Sequence, residues 1–124
     1  MKIDGFEFGS RMHVAAFALL GNIDSEMCLM IDREVVNAIG MNMTGLAPTI
    51  WKFPTADGKG GEGATVVESL TESFVAWDYW TQLGGTYFFV VSCKKYDVEM
   101  VKEVLSRYFT VKDYKSFSLS LDTD

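Results

Sequence analysis

Residues 63–93 read GATVVESLTESFVAWDYWTQLGGTYFFVVSC, and no other stretch limits the fold as much. Three segments rich in β-branched and aromatic residues, Ala64–Leu70, Ser73–Trp80 and Thr86–Ser92, follow one another with only short polar or glycine-containing turns between them. Turns this short can join only antiparallel neighbours, because a parallel crossover needs a dozen residues or more. The unbroken apolar run Tyr87-Phe88-Phe89-Val90-Val91 predicts a central strand covered on both faces. The third strand carries a thiol, Cys93, to its end.

The flanking segments extend the same sheet. Residues 12–20, MHVAAFALL, are almost free of charge and predict another covered strand. Asp24 and Ser25 offer capping oxygens ahead of Cys28, Ile31, Val35 and Ile39, whose spacing predicts a helix of about four turns ending at Gly40. Thr49 to Phe53, bounded by Pro48 and Pro54, predicts a short strand, and ADGKGGEG at 56–63 a loop. Asp97 caps a second helix expected to run through Phe109, with Val98, Val101, Val104, Leu105 and Tyr108 on one side. In the final strand Phe117, Leu119 and Leu121 alternate with Ser116, Ser118 and Ser120, so one face is expected to meet the core and the other water or a partner.

The order β-α-β-β-β-β-α-β predicts an α+β fold: a two-layer α/β sandwich with a largely antiparallel sheet and both helices on one face. With 124 residues, 48% of them hydrophobic, the chain is read as one domain over 1–124. The sheet face away from the helices is then too apolar to remain wet, which predicts a homodimer stacked sheet on sheet. Seventeen acidic against eleven basic residues, net −6, with no basic cluster, argue against nucleic acid as a partner. No basic segment leads an apolar run at the N-terminus and no eighteen apolar residues occur together, so neither export nor membrane insertion is expected. Cys28 and Cys93 stand far apart without metal-ligand spacing, consistent with a reducing cytoplasm and no metal site, and the Asn42-Met43-Thr44 sequon is read as accidental.

Several of these pieces resemble the small prokaryotic S-adenosylmethionine decarboxylases. In that family an early strand begins Gly-Arg-His and a glycine-containing loop leads to a strand ending Ala-Glu-Ser-His. The next strand holds Ser-x-His-Thr-Trp-Pro-Glu, and the one after ends Thr-Cys-Gly. Here Arg11-Met12-His13, Phe53-Pro54, Glu68-Ser69, Ser73, Trp77 and Ser92-Cys93 occur in the same order, over about residues 9–121. The resemblance implies a polyamine-biosynthesis carboxy-lyase that cleaves its own chain at Glu-Ser and turns the serine into a pyruvoyl group, the electron sink for decarboxylation. It also implies a histidine that assists processing and a cysteine that donates a proton.

Aligned on Trp77 without gaps, the chain sets Leu70 on the reactive serine, Ser73 on the second serine and Val75 on the histidine. Leucine cannot become a pyruvoyl group. A one-residue shift recovers Glu68-Ser69 as a cleavage pair, at the cost of an extra residue near Thr71-Glu72, and still supplies no histidine. Asp78 and Phe89 also depart from the family pattern, which has proline and an acidic residue there. By resemblance the candidate catalytic residues are Cys93, Ser69 and Ser73, and the candidate ligand-binding residues Phe53, Glu68, Leu70 and Trp77.

Each has a plainer reading. Cys93 reads first as a small buried hydrophobe, His13 as a hydrogen-bonded core or dimer-edge group, and Glu68 and Glu72 as solvated turn carboxylates. Gly58, Gly60 and Gly63 spell GxGxxG, but ahead of a strand rather than a helix, which argues for a flexible loop and not for dinucleotide binding. Trp51, Phe53, Trp77, Tyr79 and Trp80 are read first as core, with stacking on a flat base or a sulfonium as the second use. The expectation is a decarboxylase-like protein that does not self-process, needs no cofactor, and serves as a binding, regulatory or partner subunit with S-adenosylmethionine as a candidate ligand. The alternatives are an active decarboxylase with a pyruvoyl group from Ser69, and a cofactor-free S-adenosylmethionine lyase.

Overall fold

The structure, a computed structural model, describes residues 2–3, 6–7, 11–53, 63–71, 73–80 and 84–121. Lys2–Ile3 (β1) and Phe6–Glu7 (β2) pair as a short antiparallel ladder that the sequence reading did not anticipate. Arg11–Leu20 (β3), Thr49–Lys52 (β4), Gly63–Ser69 (β5), Ser73–Trp80 (β6), Gly85–Ser92 (β7) and Thr110–Ser120 (β8) form a six-stranded sheet in the order β4-β5-β6-β7-β3-β8. Every neighbouring pair is antiparallel. The helices, Ser25–Ala38 (α1) and Val98–Ser106 (α2), complete the anticipated α+β sandwich.

One cross-strand row shows how the layers meet. Val66, Trp77, Phe88, Phe17 and Tyr114 are successive register partners from β5 to β8 and therefore share a face. Trp77 donates to Asp32 on α1 and Tyr114 to Glu99 on α2, so both helices lie on that one face. The rings of the row touch in sequence: Trp77 to Phe88 at 4.4 Å between centroids, Phe88 to Phe17 at 6.3 Å, and Phe17 stacked on Tyr114 at 5.5 Å. Cys28, Ile31, Val35 and Ile39 are all buried against it, as their spacing predicts.

Local chemistry sets the helix limits. Asp24 accepts from the Met27 amide at 2.8 Å and starts α1, and Gly40, at φ +70, ends it in the left-handed region that glycine enters without steric cost. Asp97 accepts from Glu99 N and starts α2. The second helix is shorter than expected, stopping at Ser106 instead of Phe109. The Ser106 hydroxyl bonds back to Lys102 O, and Tyr108 and Phe109 both return their amides to Leu105 O in a terminal turn. Phe109 then drops onto Trp77, 5.9 Å between rings, just before β8 begins.

The final strand alternates as predicted but with a different destination. Ser116 and Ser118 share the helix-side face with Tyr114, while Phe117 and Leu119, 55% and 60% exposed, lie on the opposite face and do not enter the core. Leu121 lies past the strand end and is exposed. The face away from the helices carries Phe74, Trp80, Tyr87 and Phe117 around a floor that includes Ala16, Ala18 and Ala76. Ala16 and Ala18 line a hollow of about 220 Å³ there. Among the described residues no helix is long and apolar enough to cross a membrane.

Candidate functional site

The β5-β6 hairpin holds most of the residues singled out above, and alternation along β5 sends them to different places. Glu68 and Leu70 are buried on the helix side, and Ser69 lies between them on the open side. The Ser69 hydroxyl accepts from Thr44 Oγ1 at 3.3 Å, and the same Thr44 hydroxyl lies 3.3 Å from Ser69 O. Leu70 N donates to Ser73 O at 2.7 Å, Thr71 N to Asn42 O at 3.0 Å, and Met43 bridges to Leu70, so residues 42–44 brace the hairpin's end. Glu72 and the GxGxxG positions Gly58 and Gly60 lie outside the described residues. Gly63 is no loop residue but opens β5, beneath the Phe53 ring.

Glu68 overturns the expectation of a solvated turn carboxylate. It is 8% exposed, and its Oε1 and the Oδ2 of the fully buried Asp32 are both without a conventional donor. Burial pushes the Asp32 carboxyl up to about 9, and its hydrogen bond with Glu68 pushes the same way. Two carboxylate oxygens that lack a donor can share a bond only through a proton, so the buried pair holds one, and burial pushes Asp32 toward the protonated form. Its other oxygen accepts from Trp77 Nε1 at 2.6 Å. One turn earlier on α1, burial raises the Cys28 thiol, with Asp32 and Asp24 adding to the effect. Trp77 and Glu68 therefore meet under α1, inside the protein. Asp32 escaped the sequence reading because nothing distinguishes it from its helical neighbours Arg33 and Glu34.

A second group gathers at the same end of the sheet. Ser73 is the register partner of Ser92, Ser92 of His13, and His13 of Ser118. Ser92 is fully buried and accepts from Lys94 N, and His13 Nδ1 lies 2.8 Å from Ser118 Oγ. Cys93 follows Ser92 and is half-buried. The ammonium of the next residue, Lys94, donates to Gly40 O at 2.8 Å. The structure thus gathers Ser69, Ser73 and Cys93 at one end of the sheet, with Ser69 beside Phe74 on the open side and Ser73 and Ser92 on the helix side.

Phe53 belongs to the opposite end. Its amide donates to Gly63 O, six residues and roughly 20 Å along β5 from Ser69 at ~3.3 Å per residue. There its ring meets Trp51 edge-on at 5.0 Å and stacks on Trp80 at 5.3 Å, and Trp80 meets Tyr87 at 6.3 Å. Trp51, at 57% exposure, and Trp80, at 37%, are not core, whereas Trp77 and Tyr79 are. Register sets Trp51 beside Thr65, Thr65 beside Asp78 and Asp78 beside Tyr87, and the Thr65 hydroxyl donates to the Asp78 carboxylate. An anion flanked by aromatic faces on the open sheet suits an organic cation. No cluster of three or more metal-ligating side chains occurs among the described residues.

No family model matches this sequence, and no curated protein does. In three dimensions the chain is similar to the crystal structure of the adenosylmethionine decarboxylase from Aquifex aeolicus VF5, with a TM-score of 0.63 over 95% of this chain and 98% of that one, at 15% identity. At that identity the likeness establishes the fold.

Proposed function

We propose that this chain is an S-adenosylmethionine decarboxylase-like protein that keeps its backbone intact and acts as a ligand-binding or partner subunit. One observation carries the reading: a buried leucine, Leu70, occupies the hairpin position at which the family's resemblance calls for the reactive serine. The neighbouring serine is poorly disposed to replace it. Self-cleavage would require the Ser69 hydroxyl to attack the Glu68 carbonyl carbon, yet both residues sit in a regular ladder opposite Val75 and Phe74, with the hydroxyl engaged by Thr44. The histidine position holds Val75, which is buried.

Retained binding is supported by the aromatic end of the sheet. A sulfonium is a soft cation, attracted to aromatic faces and to a carboxylate such as Asp78. The ligand we assign to this end is S-adenosylmethionine. The open face supports the homodimer. Six strands ~4.8 Å apart and about eight residues long at ~3.3 Å each cover roughly 760 Å², close to the ~800 Å² per partner of a standard interface.

Intact-mass measurement and calorimetric titration with S-adenosylmethionine test the reading together. A single species at 13.9 kDa that binds saturably is the expected result. Cleavage ahead of Ser69, leaving residues 1–68 and a pyruvoyl-capped remainder, would instead make the chain a decarboxylase, and product release from an intact chain would make it a lyase. An intact chain with neither heat nor thermal shift would leave no basis for S-adenosylmethionine binding.

A further inference from the structure

The serine row of β8 points to a use that the decarboxylase likeness does not supply. Ser116 and Ser118 occupy helix-side positions, where Tyr114 two residues earlier packs on Phe17 and donates to α2. Past Tyr114 the helix layer ends, and a cavity of about 290 Å³ opens between this end of β3-β8 and the segment leading into α2. Its polar side chains come from His13, Lys95, Tyr96, Ser116 and Ser118, and no carboxylate lines it.

That lining is rich in donors. Lysine offers three, a serine hydroxyl one each, and an imidazole held through one ring nitrogen has the other available. Ser118 holds His13 Nδ1, while the Tyr96 hydroxyl donates to Val90 O at 2.9 Å and so ties its loop to the sheet. The nearby acidic side chains do not line the cavity: Asp97 accepts from the Glu99 amide and Glu99 from the Tyr114 hydroxyl. In a chain of net charge −6, the side chains that line this cavity bring a lysine ammonium and no carboxylate.

We propose that His13, Lys95, Ser116 and Ser118 form a binding pocket for a small anion, a carboxylate or a phosphate monoester. The volume accommodates such a group with a few attached carbons, since a water's share of liquid is about 30 Å³. Lys95 supplies the charge and the Ser116 hydroxyl orients an oxygen, while the bonded Ser118-His13 pair adds one further donor, the hydroxyl or Nε2 according to the imidazole tautomer.

His13 is the only histidine in the chain, so its imidazole resonances report on the pocket without ambiguity. Titrating the full-length protein with inorganic phosphate or with acetate, at ionic strength held constant with sodium chloride, should shift those resonances saturably. The tighter of the two names the charged group the pocket prefers. Lys95→Gln and Ser116→Ala, both at exposed positions, should each weaken binding about tenfold or more while leaving the melting temperature unchanged. A shift that follows ionic strength alone, or variants that titrate like the parent chain, would overturn the proposal.

Discussion

Asp32 is the residue on which the interior turns. It bonds to Trp77 on one side and Glu68 on the other, in a layer made mostly of aliphatic and aromatic side chains. Burial raises its carboxyl from the ordinary 3.8 to about 9, so the folded chain keeps a proton that the unfolded chain releases. The stability this confers is complete below pH 3.8 and drains away as pH rises toward 9. Asp32→Asn keeps a donor for Glu68 and an acceptor for Trp77 without titrating. Urea unfolding at pH 5 and pH 8 should therefore show the variant gaining about 4 kcal/mol on the parent between the two, and parallel curves would contradict a shared proton. Trp77→Phe removes the donor to a buried carboxyl and leaves a small void, and should cost about 2–4 kcal/mol by the same measurement. None of this was legible in the sequence. Glu68 looked like a turn carboxylate because its desolvation comes from α1, far away along the chain.

At the scale of elements, the hairpin and its edge strand depend on a close approach at Gly63. A Cβ there would run into the Tyr79 carbonyl and lie 2.7 Å from the Phe53 ring. The backbone oxygen cannot yield without shifting the ladder, so Gly63→Ala should destabilise the chain by about 1–3 kcal/mol in urea unfolding. It should also diminish the near-ultraviolet circular dichroism from the Trp51-Phe53-Trp80 cluster. Unchanged aromatic dichroism would mean that β4 can shift without losing the stack. The strands and α1 were readable because alternation, helical spacing and capping chemistry are local signals. The end of α2 was not, since Tyr108 and Phe109 continue the helical pattern while their contacts lie elsewhere, Tyr108 with Glu34 on α1 and Phe109 on Trp77.

For the whole molecule, the uncovered face dominates. Phe74 and Phe117 stand on it, both substantially exposed in the isolated chain. If two copies stack through this face, Phe74→Glu combined with Phe117→Glu should bring the light-scattering mass down to the 13.9 kDa monomer with the melting temperature little changed. A parent chain that already scatters as a monomer at high concentration would remove the homodimer from the reading.

Strand alternation, cap residues and the apolar run at Tyr87–Val91 act over a few neighbours, so the sequence by itself determined that this chain makes an antiparallel sheet backed by two helices. The tertiary structure decided what those elements do with their side chains. Register brought Trp51, Asp78 and Tyr87 together and carried Phe53 roughly 20 Å from Ser69, a distance set by strand rise and invisible to motif order. Likewise Ser116 and Ser118 of the last strand face the helix side and Phe117 and Leu119 the open side, because which face a strand buries depends on where the helices stop. A periodic pattern fixes two faces, and only the packing of distant segments chooses between them.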